Sequence, residues 1–318
     1  LKSISSAPGK VILFGEHFIV YGGKAILCSI DKRITVESEL TGTGRIEIKS
    51  SLGEISVPKD AKPSEVGSAL RPIAHIAQRM LSERGSESGV RVSVTAEFPS
   101  GVGLGSSSAC CVAAASSIMG LFGEHTKEQA LRLAIDAERT IFEDTSGADC
   151  NVCTYGGIIE YHRHGMTERL AFEPKFTLIV ANSKTSHSTS DVVSKVKKYK
   201  DLNPAIFSLL CSQEERLIDD AMSALRENDL GSVGARMSQN QKYLEQIGVS
   251  NERLNSMLET VRGISYGAKI TGAGDGGCII AMTDESNLNA TMNALAEKNY
   301  ECFATKIDTA GLQHKVTE

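Results

Sequence analysis

The residues best suited to chemistry lie in five short segments. The clearest is Pro99-Ser-Gly-Val-Gly-Leu-Gly-Ser-Ser-Ser-Ala109. A strand is predicted to end at Phe98, and a helix is predicted to start at the serines. Glycine lets the backbone approach a ligand closely, and a helix start offers unpaired N–H groups with partial positive charge. Pro99, Gly101, Val102, Gly103, Leu104, Gly105, Ser106, Ser107 and Ser108 therefore read as a cradle for a polyphosphate. The serine hydroxyls could cap the helix or reach a Mg²⁺. No Gly-Lys-Ser/Thr closes the loop, as a Walker A motif would require. The βαβ setting of a dinucleotide fingerprint is missing too. The plain alternative is a tight turn followed by a serine N-cap.

The other four segments are each ambiguous alone. Glu138 falls in a predicted helix from Thr126 to about Glu143, with Gln129 placed for a capping box. The polar face of that helix is Glu128, Arg132, Asp136, Arg139 and Glu143, whereas Glu138 lies among Leu131, Ala134, Ile135, Ile141 and Phe142. A buried carboxylate needs a partner: a Lys or Arg across the core, which periodicity alone favours, or a metal ion. Asp149 follows Thr145-Ser-Gly-Ala and could be a turn residue or a base. In Ser6-Ala-Pro-Gly-Lys10…Gly15-Glu16-His17, a lysine opens an apolar strand and two polar groups stand at its end. That set suits a substrate pocket, against a snorkelling lysine and an ordinary loop. Lys269-Ile-Thr-Gly-Ala-Gly-Asp-Gly-Gly-Cys278 offers a second backbone approach to phosphate, or a flexible hairpin.

The elements that must position these groups are strands first, then helices, then both. Val90, Val92, Val94, Ala96 and Phe98 alternate with polar residues, the period of a half-buried strand. Ile34 and Val36, then Ile46 and Ile48, alternate likewise, and Thr41–Gly44 between them reads as a hairpin connection. A helix is predicted over 64–82. Another, Ser106 to Leu121, is apolar or small on all sides and belongs in an interior. Strands are predicted over 153–161 and 176–181, helices over 189–262, and a glycine-rich turn between β-type residues over 264–282. A helix at 286–298 and a strand at 301–308 follow. This order argues an α+β fold with two domains, 1–170 and 171–318.

Composition narrows the class. The chain has 318 residues and a net charge of −5. That mild acidity argues against a nucleic-acid partner, and no apolar run approaches a membrane span. The segment Leu1–Ile4 leads straight into patterned sequence, so no signal peptide is expected. Eight cysteines in so long a chain read as reduced structural thiols in a cytoplasmic setting. The Cys150-Asn-Val-Cys153 spacing has no second pair to complete a metal site.

Together the segments resemble the GHMP kinase family, with three motifs in the family's order. Pro99–Ala109 is similar to its phosphate-binding motif and Lys269–Cys278 to its C-terminal glycine-rich motif. Within the family, Ala7-Pro-Gly-Lys10…Gly15-Glu-His-Phe-Ile-Val-Tyr-Gly22 resembles the branch that phosphorylates mevalonate. The resemblance implies a two-domain fold with the active site in the cleft between an N-terminal mixed sheet and a helix-rich C-terminal domain. It implies ATP and Mg²⁺, mevalonate as acceptor, and a homodimer. It implies Asp149 as catalytic aspartate paired with Lys10, and Ser107 and Glu138 as Mg²⁺ ligands. Glu16, His17, Asp149, Thr189, Gly272 and Ala273 fall on the substrate side. The sequence departs from the family in having Phe142-Glu-Asp before Thr145-Ser-Gly147, Cys150 where Asn is usual, and Asp275 where Gly is usual. Two rivals stand beside this reading. A kinase for an already phosphorylated acceptor needs extra basic residues, of which the segments around Glu16 and Asp149 offer few. A non-catalytic sensor of the same fold needs a broken Lys10, Glu138 or Asp149.

Overall fold

The chain opens with two long antiparallel strands, β1 (Lys2–Phe14) and β2 (Lys24–Thr41), in a computed structural model that describes residues 2–162, 168–170, 174–186 and 188–317. Next come β3 (Arg45–Ser50), β4 (Gly53–Pro58), α1 (Arg71–Glu83) and β5 (Gly89–Ala96). β5 does not sit outside β3. It inserts between β2 and β3, antiparallel to the first and parallel to the second. The 41–44 segment is therefore a crossing over β5 and not the hairpin its turn residues predict. Local turn chemistry cannot register a strand that arrives later in the chain.

Three more helices follow, α2 (Ser106–Gly120), α3 (Lys127–Glu138) and α4 (Ala148–Tyr155); α2 and α4 pack on this sheet, and α3 packs against α1, α2 and α4. The small-residue helix α2 is buried along most of its length, as its lack of a polar face requires. The predicted capping box starts α3: Thr126 Oγ1 accepts from the Gln129 N–H at 3.2 Å, and Gln129 Oε1 accepts from the Thr126 N–H at 2.8 Å. The helix stops at Glu138, short of residue 143. The Thr140 hydroxyl donates to the Ala137 carbonyl at 2.6 Å, a side-chain bond that competes with continuation. Gly147 then adopts φ 75° and opens α4, which takes in Cys153, a residue the alternation placed in a strand.

β6 (Ile158–His162) pairs with the first half of β2 where β5 leaves off, and β7 (Glu168–Arg169) pairs with β6. A second sheet follows. β8 (Thr177–Asn182) leads into α5 (Thr189–Leu202), α6 (Pro204–Arg226), α7 (Leu230–Gln246) and α8 (Glu252–Val261). Then come β9 (Gly267–Thr271), β10 (Cys278–Thr283), α9 (Leu288–Glu297) and β11 (Glu301–Thr305). The order in this sheet is β11-β8-β10-β9. The last strand, β12 (Gln313–Thr317), returns to the first sheet beside β1. One buried apolar cluster runs from the first sheet onto one face of the second, through Leu178, Val180, Ile280 and Met282, and a separate cluster with Ile179, Ala181, Ile279 and Ala281 fills the second sheet's other face. Among the described residues no helix is long and apolar enough to cross a membrane.

Candidate active site

β1 carries Lys10 into the interior, where its side chain is 5% exposed. The Lys10 backbone N–H donates to the Leu104 carbonyl at 2.9 Å, so the glycine-rich loop is fastened to the same residue. Gly105, at φ 70°, caps α2, and a Cβ there would lie 2.6 Å from Lys10 Cγ. Glycine is therefore required both by the backbone angle and by the lysine stem. Lys10 Nζ reaches Asp149 Oδ2 at 2.9 Å. Asp149 is in the first turn of α4, where helix N–H groups favour a carboxylate. It belongs to a helix and not to the turn considered above, and its side chain is 34% exposed, so it is open to a ligand while Lys10 is not.

Glu138 is 3% exposed, as its place off the polar face predicts. No lysine or arginine pairs with it among the described residues. Its oxygens are instead held by hydroxyls: Ser108 donates to Oε1, and Thr145 donates to Oε2 at 2.5 Å. Burial raises the Glu138 carboxyl above its ordinary range, opposed by Ser108 and Thr145 and reinforced by the Asp149 charge. Ser107 sits one residue before Ser108, in the first turn of α2. Mg²⁺ is commonly held by one or two protein oxygens while substrate phosphates and water supply the rest. Glu138 and the adjoining serine hydroxyls are hard oxygen donors at the mouth of the loop, and they suit that ion.

The two glycine-rich segments meet. A Cβ on Gly103 would lie 3.4 Å from the Thr271 carbonyl oxygen and 3.9 Å from Gly272 Cα. Thr271 Oγ1 accepts from the Ile12 N–H at 2.9 Å and donates to the Ile12 carbonyl at 3.1 Å, tying β9 to β1. His17, at φ 64°, places Nε2 2.7 Å from the Ala273 carbonyl. A carbonyl only accepts, so Nε2 carries the proton and Nδ1 is the acceptor. Burial lowers the His17 pKa, which keeps the ring neutral. Glu16 is fully enclosed and ion-paired with Lys269, itself 0% exposed. Burial raises the Glu16 carboxyl, with Lys269 opposing. Asp275 occupies the left-handed region at φ 57°, where glycine is the usual residue, and bonds Lys195 at 3.1 Å. Thr189 is the first residue of α5 and exposed. Its side chain joins none of these bonds among the described residues. His187, two residues earlier, lies outside the described residues.

Lys10, Asp149, the 99–108 loop, Glu138, His17 and the 272–273 turn thus converge between the two sheets. Sequence reasoning did not single out Lys269, Thr145 or Glu214 as site residues. Glu214 was findable. It stands on α6 among Phe207, Leu210, Leu217, Ile218 and Ala221, the same off-face position that exposed Glu138. Cys150 and Cys153 are buried, and burial pushes their thiols well up, which disfavours the thiolate.

Comparison with known proteins identifies the family of the chain. The family model described as GHMP kinases N terminal domain matches residues 71–157, and the GHMP kinases C terminal model matches 221–301. A mevalonate kinase of Thermococcus sibiricus is 31% identical, with 98% of each chain covered. The crystal structure of the Methanococcus jannaschii mevalonate kinase superposes with a TM-score of 0.86 at 24% identity, over 96% of this chain and 98% of that one. An L. major mevalonate kinase in complex with R-mevalonate gives 0.81 at 26% identity, over 96% of each.

Proposed function

The chain belongs to the GHMP kinase family, and we propose that within it the enzyme transfers the γ-phosphoryl group of ATP to the C5 hydroxyl of mevalonate. The observation that most supports this reading is the Lys10–Asp149 pair, 2.9 Å apart, beside a glycine-rich helix start. The backbone of residues 101–108 and the α2 N-terminus hold the ATP phosphates. Asp149 orients the acceptor hydroxyl and takes its proton as the oxygen attacks. Lys10, paired with Asp149 from the buried side, places a fixed positive charge behind it that favours the negative charge developing at the acceptor oxygen. Glu138 and Ser107 would hold Mg²⁺, which supplies charge neutralisation on the phosphates when bound. Glu16, His17, Thr189, Gly272 and Ala273 form the acceptor side, with the neutral His17 ring fixed in one tautomer.

The reading assigns residues 1–170 to the nucleotide half and 171–318 to the other, with β12 returning to the first sheet. Phosphorus NMR on the product of ATP, Mg²⁺ and mevalonate tests it. The expected result is one phosphomonoester whose phosphorus couples to the C5 methylene protons. A phosphate on the tertiary C3 oxygen, or ADP and free phosphate alone, would overturn it.

A further inference from the structure

Glu214 is 1% exposed on the apolar arc of α6. Its Oε1 accepts from the Gly15 backbone N–H at 3.1 Å and from Asn240 Nδ2 at 2.7 Å. Three buried acceptors around it lack a donor among the described residues: Glu214 Oε2, Glu16 Oε2 and Asn240 Oδ1. One ammonium serves the cluster. Lys269 Nζ bonds Glu16 Oε1 and, at 2.7 Å, the Ile270 carbonyl. Two enclosed carboxylates and one enclosed cation leave a net negative charge if both acids ionise, which is costly away from water. One proton on Glu214 removes that charge and creates the missing donor.

We propose that Glu214 is a positioning residue for the acceptor substrate: as a neutral carboxylic acid it fixes the Gly15–Glu16–His17 turn and leaves Lys269 to Glu16. The inference rests on the reading of that turn as part of the mevalonate site. The turn needs such support. Gly15 stands at φ 98° and His17 at φ 64°, a backbone state a non-glycine residue keeps only when its surroundings impose it. Glu214 holds the turn's first N–H, and the Ala273 carbonyl holds its histidine.

The charged and titratable groups facing Glu214 are few. Glu16 comes from just beyond the end of β1 and Lys269 from β9, Lys10 of β1 acts on Glu16 from farther off, and among the described residues α7 contributes the neutral Asn240 and Gln241. Cys28 of β2 feels Lys269, and Cys211 and Glu215 lie on α6 itself. Burial, with the Glu16 charge adding, pushes the Glu214 carboxyl up to about 7 against the pull of Asn240 and Lys269. Ionised Glu214 would compete with Glu16 for the single ammonium and release the turn.

The test uses the intact enzyme and measures KM for mevalonate and for ATP between pH 6 and pH 8, in wild type and in Glu214→Gln. If only the protonated form binds, about one molecule in eleven is competent at pH 8, so KM for mevalonate rises about tenfold across the range. KM for ATP does not follow. The glutamine amide keeps an acceptor for Gly15 and supplies a donor at the second position, so in Glu214→Gln the rise disappears. A flat wild-type profile, or the same rise in both proteins, overturns the proposal. Absence of mevalonate phosphorylation at every pH would instead refute the substrate reading. Infrared difference spectra between pH 6 and pH 8 address the acid directly. A protonated carboxylic acid band is expected in wild type and absent in Glu214→Gln, and equal bands in both overturn the proposal whatever the substrate.

Discussion

Replacing Asp149 by asparagine separates the chemistry of the site from its stability. Asparagine keeps the shape and an acceptor oxygen for Lys10 Nζ, but it cannot take a proton. Loss of a general base costs about 10²–10⁴ in rate, equivalent to about 3–5 kcal/mol of barrier at about 1.4 kcal/mol per decade. The effect on folding is much smaller. Stripping one partner from a fully buried ion pair costs about 3–5 kcal/mol, but the Asp149 side chain is 34% exposed and the variant still offers Lys10 an acceptor. A loss of about 1 kcal/mol is expected, a shift of about 1–2 °C in Tm for a chain of this size. Coupled ADP release at saturating mevalonate and ATP, with thermal unfolding followed by circular dichroism, measures both. Turnover within about fivefold of wild type would refute the assignment of Asp149 as the base. Asp149→Ala is the comparator. It leaves the buried ammonium with no acceptor at that position, so it loses more stability than asparagine.

Ser107→Ala should raise the Mg²⁺ concentration needed for half-maximal rate, and an unchanged Mg²⁺ titration counts against Ser107 as a ligand. Gly105→Ala puts a Cβ 2.6 Å from Lys10 Cγ at φ 70°, which displaces the lysine from Asp149. A drop of roughly 10–100-fold in kcat is expected for such a misplacement, and wild-type kcat in a well-folded variant would contradict it. Glu214 also governs stability. Its folded carboxyl holds a proton up to about 7, whereas an unfolded glutamate releases it near 4.5, so the folded state binds the extra proton between those values. Stability therefore falls as pH rises through that window, by about 3 kcal/mol relative to Glu214→Gln, and levels off above it. Urea unfolding of both proteins at pH 5 and pH 7.5 checks the sign; a parallel pH dependence would show it wrong.

What the sequence made legible was local. The Pro99–Ala109 loop reads from its glycines, because a left-handed backbone and close approach leave few other choices. The burial of α2 and of Glu138 reads from helical period. The start of α4 was hidden, since an eight-residue helix of small and polar residues shows no stripe and is announced only by Gly147. The place of β5 between β2 and β3, and of β12 beside β1, depends on pairings far apart in the chain. The same holds for the Glu16–Lys269 pair. Each residue alone has a plain reading, and only the fold makes one the other's counter-ion. The hydroxyl partners of Glu138 were missed because a buried carboxylate suggests a cation first, whereas Ser108 and Thr145 satisfy it with neutral donors.

The central assignment, phosphoryl transfer to mevalonate, is tested most directly by ADP release measured in parallel with mevalonate, phosphomevalonate, galactose and homoserine. The expected result is a kcat/KM for mevalonate about 10³-fold or more above each of the others, the discrimination a site built around hydrogen-bonded hydroxyls supplies. An equal or higher kcat/KM for any of the other three would contradict it.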